Sequence, residues 1–314
     1  MTVSLGIRIA ILTAICTVAC IVIMVFKRSY KRPFRNSGVN RDINSGVNRD
    51  INSGVNSDEP FRLVDAAELA GAPDLDAYFG SFSEQDVRAR SAWCGSSCRE
   101  AYLSAVVAQP PDWVKGMLAQ DVRVATAILA KRAPDLLPTD GMVHVALLRE
   151  GTENGWPHTH GRVVCLPMDH FVQQDAARRV ETLIHELVHV YQRAHPEVVA
   201  KYMAARGYIR TNETPPPNIM ARSRKNPDLS YVWRRRGDNT TSVTMFNDGD
   251  DSGMSDTRVA LFDESWNEVT TPPAEVKEHD TEHPYETMAY ELAHVLVNTQ
   301  DSDDSNVAGL QAEL

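Results

Sequence analysis

The apolar positions of this chain change period several times. From about Pro60 to Ala133 they return every three or four residues, in Leu63 to Leu69, Leu75 to Phe79, Ala89 to Val107 and Val114 to Leu129. That spacing predicts helices, with breaks at Pro110-Pro111 and Pro134. Met142 to Leu148 and Gly161 to Pro167 are short, nearly unbroken apolar runs joined by a connection containing Gly and Pro, and they predict a β-hairpin. The helical period then resumes: Val180, Leu183, Ile184, Leu187, Val188 and Tyr191 share one face, and Pro196 predicts its end. Val198 to Arg206 extends the helical pattern. Ser242 to Phe246 and Arg258 to Phe262 predict short strands on either side of the acidic stretch Asp248 to Gly253, and a last helix opens at Pro284. The acidic stretch is no EF-hand, because the glutamate required at the twelfth loop position falls on Val259. These elements predict an α+β body over residues 60–300, with a small mixed sheet and a helical lobe, followed by an acidic tail at 301–314.

The front of the chain follows a different pattern. Ile9 to Phe26 is uncharged and almost wholly apolar, and 18 residues rising about 1.5 Å each give about 27 Å, enough for one transmembrane helix through a lipid bilayer. Only Arg8 precedes it, whereas Lys27, Arg28, Lys31, Arg32 and Arg35 follow, which favours an anchor over a cleaved signal peptide and predicts a cytoplasmic body. Residues 1–35 are thus an anchor with a basic flank. Asn36 to Asp58 repeats the unit Asn-Ser-Gly-Val-Asn-Arg-Asp-Ile nearly three times, and so polar a composition predicts a flexible tether over 36–59.

Charge narrows the partners. The 314 residues carry a net charge of -10, and eight basic and four acidic side chains fall before residue 60, so the body carries about -14 and is a poor match for nucleic acid. Of five cysteines, Cys16 and Cys20 lie in the apolar segment and Cys165 in a predicted strand. Cys94 and Cys98 are spaced for buried thiols or one local disulfide; in a cytoplasmic body they stay reduced, and the sequons at Asn212 and Asn239 stay unused.

The candidate chemistry sits on the helix before Pro196, in His185-Glu186-Leu187-Val188-His189. Residues four apart lie one turn above each other, so His185 and His189 offer two imidazole nitrogens to one Zn2+ ion while Glu186 faces its open position as a general base. Catalytic zinc sites take a third protein ligand. His195 has the spacing of the third histidine in metzincins, but Gln192 stands where those have a helix-breaking glycine. The rival is Glu286 in His283-Pro-Tyr-Glu-Thr-Met-Ala-Tyr290, with Glu291 a further option.

The two segments Thr182-Leu-Ile-His-Glu-Leu-Val-His-Val-Tyr-Gln-Arg193 and His283 to Tyr290 together resemble gluzincin zinc metallopeptidases. That resemblance implies a zincin-like fold whose active-site helix follows the edge strand of a sheet, with peptide or protein substrates held along that edge by strand addition. It implies Glu286 as third ligand. With Glu186 as base, the reaction also needs an oxyanion donor, for which Tyr290, His283 and Tyr231 are candidates and Tyr290 is named. His158 and His160 read as polar loop residues near the cleft rim. A catalytically silent zinc-binding module and a zinc hydrolase of a non-peptide amide or ester remain alternatives. Oligomeric state is not legible.

Overall fold

A computed structural model describes residues 60–229, 231–247, 253–269 and 283–298, all within a unit spanning Asp58–Leu314. The anchor expected at 9–26, the tether at 36–59, most of the acidic stretch at 248–253 and the tail at 301–314 lie outside these residues. Among the described residues no helix is long and apolar enough to cross a membrane.

The fold is mixed α+β, with small sheets and several helices. In chain order come strand β1 (Phe61–Leu63), helices α1 (Ala66–Leu69), α2 (Leu75–Gly80), α3 (Glu84–Ala89), α4 (Cys98–Ser104) and α5 (Asp112–Arg132), then β2 (Val143–Leu148), β3 (His158–His160) and β4 (Val163–Pro167). Helices α6 (Met168–Gln173), α7 (Ala176–Ala194) and α8 (Pro196–Ala205) follow. After β5 (Tyr208–Thr211) and the short α9 (Pro217–Met220) come β6 (Val232–Arg235), β7 (Thr241–Phe246), β8 (Thr257–Phe262) and α10 (Pro284–Asn298). The main sheet has the order β1-β2-β4-β3, and β5-β6 and β7-β8 form two separate antiparallel pairs.

The expected hairpin is wrong in its partners. β2 and β4 run parallel, with Ala146 opposite Cys165, and the hairpin is β3 with β4, His158 facing Cys165. The reason lies in the apolar runs themselves. Val143, Val145 and Leu147 of β2, with Val164 and Leu166 of β4, face the core shared with α5 and α7, while Ala146, Leu148, Val163 and Cys165 face a second core against α1 and α4. Strands buried on both faces are the mark of parallel pairing, whereas a hairpin with one wet face alternates. The β3–β4 turn needs Gly161, whose φ is +56° and where a Cβ would meet Pro73 Cδ at 2.9 Å.

Two other local expectations are corrected. The helix expected over Ala89 to Val107 is confined to Cys98–Ser104, behind a turn in which Cys94 and Cys98 are joined as a disulfide. β1 replaces the first residues of the helix expected from Leu63, because its backbone is taken up by β2. Within β6, Arg234 is buried and pairs with Glu213.

Helix α7 carries the candidate chemistry. The Asp175 side chain caps it by accepting from Arg178 N, and Pro196 opens α8 after the break at His195. Leu183, Ile184, Leu187 and Val188 are buried in the larger core, each contributing about 1.5–3 kcal/mol. Helix α10 packs along α7 through Tyr285, Met288, Ala289, Leu292, Ala293 and Leu296. The two alanines let the backbones approach closely, which brings the first turn of α10 onto the middle of α7.

Candidate metal centre

Nε2 of His185, Nε2 of His189 and a carboxylate oxygen of Glu286 all lie within 4.8 Å of one another. The two nitrogens are 3.0 Å apart, and Oε2 of Glu286 is 3.3 Å from His185 and 3.5 Å from His189. Two imidazoles and one carboxylate are a borderline nitrogen and oxygen set that suits zinc. Two buried polar atoms of the same segment have no hydrogen-bond partner among the described residues: Nδ1 of His185 and Oε2 of Glu186. Two histidines closing on one carboxylate, next to an unpartnered glutamate, fit a site completed by a cation and its water.

Gln192 organises His189. Its Oε1 is 2.8 Å from Nδ1 of His189 and its Nε2 donates to the carbonyl of Tyr285 at 3.0 Å. Because the amide's N–H group is committed to Tyr285, its oxygen accepts from Nδ1–H, and Nε2 is the nitrogen of His189 that faces the centre. The residue that stands in the place of the metzincin glycine lies within the helical run of α7 and holds His189, a candidate ligand.

Electrostatics bind the cluster together. Burial opposes a charge on His189, but Asp228 and Glu286 beside it raise its pKa to about 10. Burial also works against ionised Glu286, and His189 with His185 outweighs it, holding that carboxyl well below the usual range. Glu186 goes the other way: burial and then the neighbouring Asp228 push it well above an ordinary glutamate.

The other candidates are placed as follows. His195 lies at the end of α7 with its ring 4.4 Å from that of Tyr191, outside the donor cluster. Glu291 pairs with Arg206. Tyr290 is 65% exposed and its ring lies 4.4 Å from that of His185. Tyr231 is also exposed and lies under Arg210.

His283 is committed elsewhere, as a cap of α10. Its Nδ1 accepts from Tyr285 N, so its Nε2–H is left to the Tyr231 carbonyl at 3.4 Å. Burial lowers its pKa from 6.5 to about 4. In metal-free protein the folded form therefore keeps His283 neutral while the unfolded chain takes up a proton below pH 6.5. This part of the stability is whole above pH 6.5 and is lost as pH falls to about 4, by about 3 kcal/mol. His283→Asn retains a capping oxygen and is expected to remove that loss, read as a smaller drop in Tm between pH 7 and pH 4 than in the parent.

The sheet edge differs from expectation. β4, which precedes α7 with only α6 between, is flanked by β2 and β3; β3 is the edge strand next to it. Thr159 at its middle turns both backbone groups outward. Its N–H donates to Oδ1 of Asp228, its carbonyl accepts from Arg193, and Arg193 also takes the carbonyl of Gly161. His158 and His160 are not rim residues but buried strand residues: Nδ1–H of His158 donates to the Trp156 carbonyl, its Nε2 accepts from the Tyr102 hydroxyl, and His160 lies against Tyr78. The sequence does not single out Thr159, Arg193, Asn226 or Asp228, and it marks Gln192 only as a residue that does not break the helix; the one usable signal is the turn-forming Asn226-Pro227-Asp228.

No family model, curated protein or solved structure matches the chain.

Proposed function

We propose that this chain is a zinc-dependent peptidase of gluzincin type, with a zincin-like body anchored to a membrane through residues 9–26 and facing the cytoplasm. The observation that carries the reading is the meeting of His185, His189 and Glu286, from two helices far apart in sequence, at one point. His185 and His189 would hold the ion through Nε2 and Glu286 through Oε2. Bound zinc polarises a carbonyl and makes water nucleophilic near neutral pH. Glu186 moves the proton, since its unpartnered Oε2 takes one as water adds to the amide carbon and returns it to the nitrogen as the C–N bond breaks. Tyr290, exposed beside His185, donates to the oxygen that gains charge.

The test is zinc content with protease profiling of residues 60–314, with and without a chelator. One zinc per chain and chelator-sensitive cleavage of casein or peptides are expected. Zinc without turnover on any amide or ester would indicate a silent module, and absence of zinc would overturn the reading. The closed edge of β3 favours a second reading, hydrolysis of a non-peptide amide or ester, since a peptide added there finds its hydrogen-bonding groups occupied; activity on such compounds with every peptide spared would select it.

The orientation has its own expected result. Asn212 and Asn239 are both exposed, so a body facing the cytoplasm leaves them without glycans when the whole chain is made in a eukaryotic cell. The Cys94–Cys98 disulfide favours the opposite, oxidising side. A mass shift removed by a glycosidase would reverse the orientation.

A further inference from the structure

We propose that Asn226 is a positioning residue of the metal centre, one that occupies Oε1 of Glu286 and so makes Glu286 a ligand through Oε2 alone. The proposal rests on the zinc reading above. Nδ2 of Asn226 donates to Oε1 of Glu286 at 2.8 Å, while Oε2 faces the two histidines. The orientation of the amide is fixed from its other end, because Oδ1 of Asn226 accepts from the backbone N–H of Asp228 at 2.9 Å. A neutral donor suits this place. A lysine or arginine would compete with the ion for the carboxylate's charge, whereas an amide holds one oxygen and leaves the charge to the metal.

The segment that presents Asn226 is gripped from both sides. The backbone N–H of Lys225 donates to Oδ1 of Asp86 at 3.0 Å, and its carbonyl accepts from Arg90 at 2.8 Å. Asp86 and Arg90 are an ion pair with no exposure at all, and Arg90 also binds Glu153 and the Tyr78 hydroxyl. Behind Asn226, Arg193 donates to the Pro227 carbonyl at 2.8 Å. A buried pair of this kind is costly to assemble and gives fixed geometry in return only if each member is satisfied. Here its free donor and acceptor are spent on the two backbone groups of the residue before Asn226. A carboxylate released from this hold turns about its own axis and offers both oxygens to a cation, which raises the coordination number and fills the open position.

The experiment compares the full chain with Asn226→Ala, Asn226→Asp and His189→Ala. Zinc affinity is measured by competition with a chromophoric chelator, and the visible spectrum is recorded after loading with Co2+. Asn226→Asp keeps the oxygen that caps the Asp228 N–H but loses the donor to Glu286. Both Asn226 variants are expected to bind zinc roughly 10- to 100-fold more weakly, and the Co2+ absorption to weaken as four-coordination gives way to higher coordination. Parental affinity and spectrum in both variants would overturn the proposal. So would a loss in Asn226→Ala alone, since that outcome makes Asn226 a cap of its own loop and nothing more. If the parent holds zinc no better than His189→Ala, the zinc reading itself falls and takes this proposal with it.

Discussion

Glu286→Ala is expected to lose zinc on dialysis as fully as His189→Ala does, whereas His195→Ala keeps it. Among the described residues Glu286 supplies the one carboxylate oxygen of the donor cluster, and its removal also takes away the acceptor of the Asn226 amide. The loss in affinity should exceed the roughly 100-fold that a supporting group around a metal is worth. His195 lies beyond the last turn of α7 against Tyr191, so its replacement removes a ring contact and no ligand. The check is zinc per chain after dialysis for the three variants side by side. Retention by Glu286→Ala together with loss by His195→Ala would discard the gluzincin assignment.

Glu186→Gln is expected to bind zinc like the parent and to lower turnover about 10²- to 10⁴-fold, the worth of one general base. The amide keeps the size of the side chain, and Glu186 does not belong to the donor cluster, so metal content is the control that separates a lost base from a lost site. Turnover within about tenfold of the parent would remove Glu186 from the role.

These two variants concern the part of the chain that its sequence revealed most fully. A period of 3.6 places His185, Glu186 and His189 relative to one another without any knowledge of the fold, and Pro284 marks the start of the helix that carries Glu286. The choice between Glu286 and His195 turned on whether α7 bends at residue 192, and the side chain there already argued that it does not. What periodicity does not reveal is which strands meet. Val143 to Leu148 reads equally well as half of a hairpin or as a parallel strand, and its partner is decided by cores on both faces that exist only after α1, α4, α5 and α7 have packed. The supporting residues were illegible for a related reason. Gln192, Arg193 and Asp228 are ordinary polar letters until folding places Tyr285, Thr159 and Gly161 beside them. His158 and His160 misled because histidine in a Gly- and Pro-rich stretch resembles loop polarity, whereas here the two rings are packed among Tyr78, Phe79 and Tyr102.

The way Arg193 and Asp228 close over Thr159 also bears on how copies of this chain meet one another. A bare strand at the margin of a sheet is a template on which an identical molecule can lay its own strand, and repetition of that step leads to fibres. β3 is short, and the outward N–H and C=O of Thr159, with the carbonyl of Gly161, are already bonded within the same molecule. The side chains that shape the surroundings of Glu186 thus also deny that margin to a neighbour, so crowded copies find no strand there to extend.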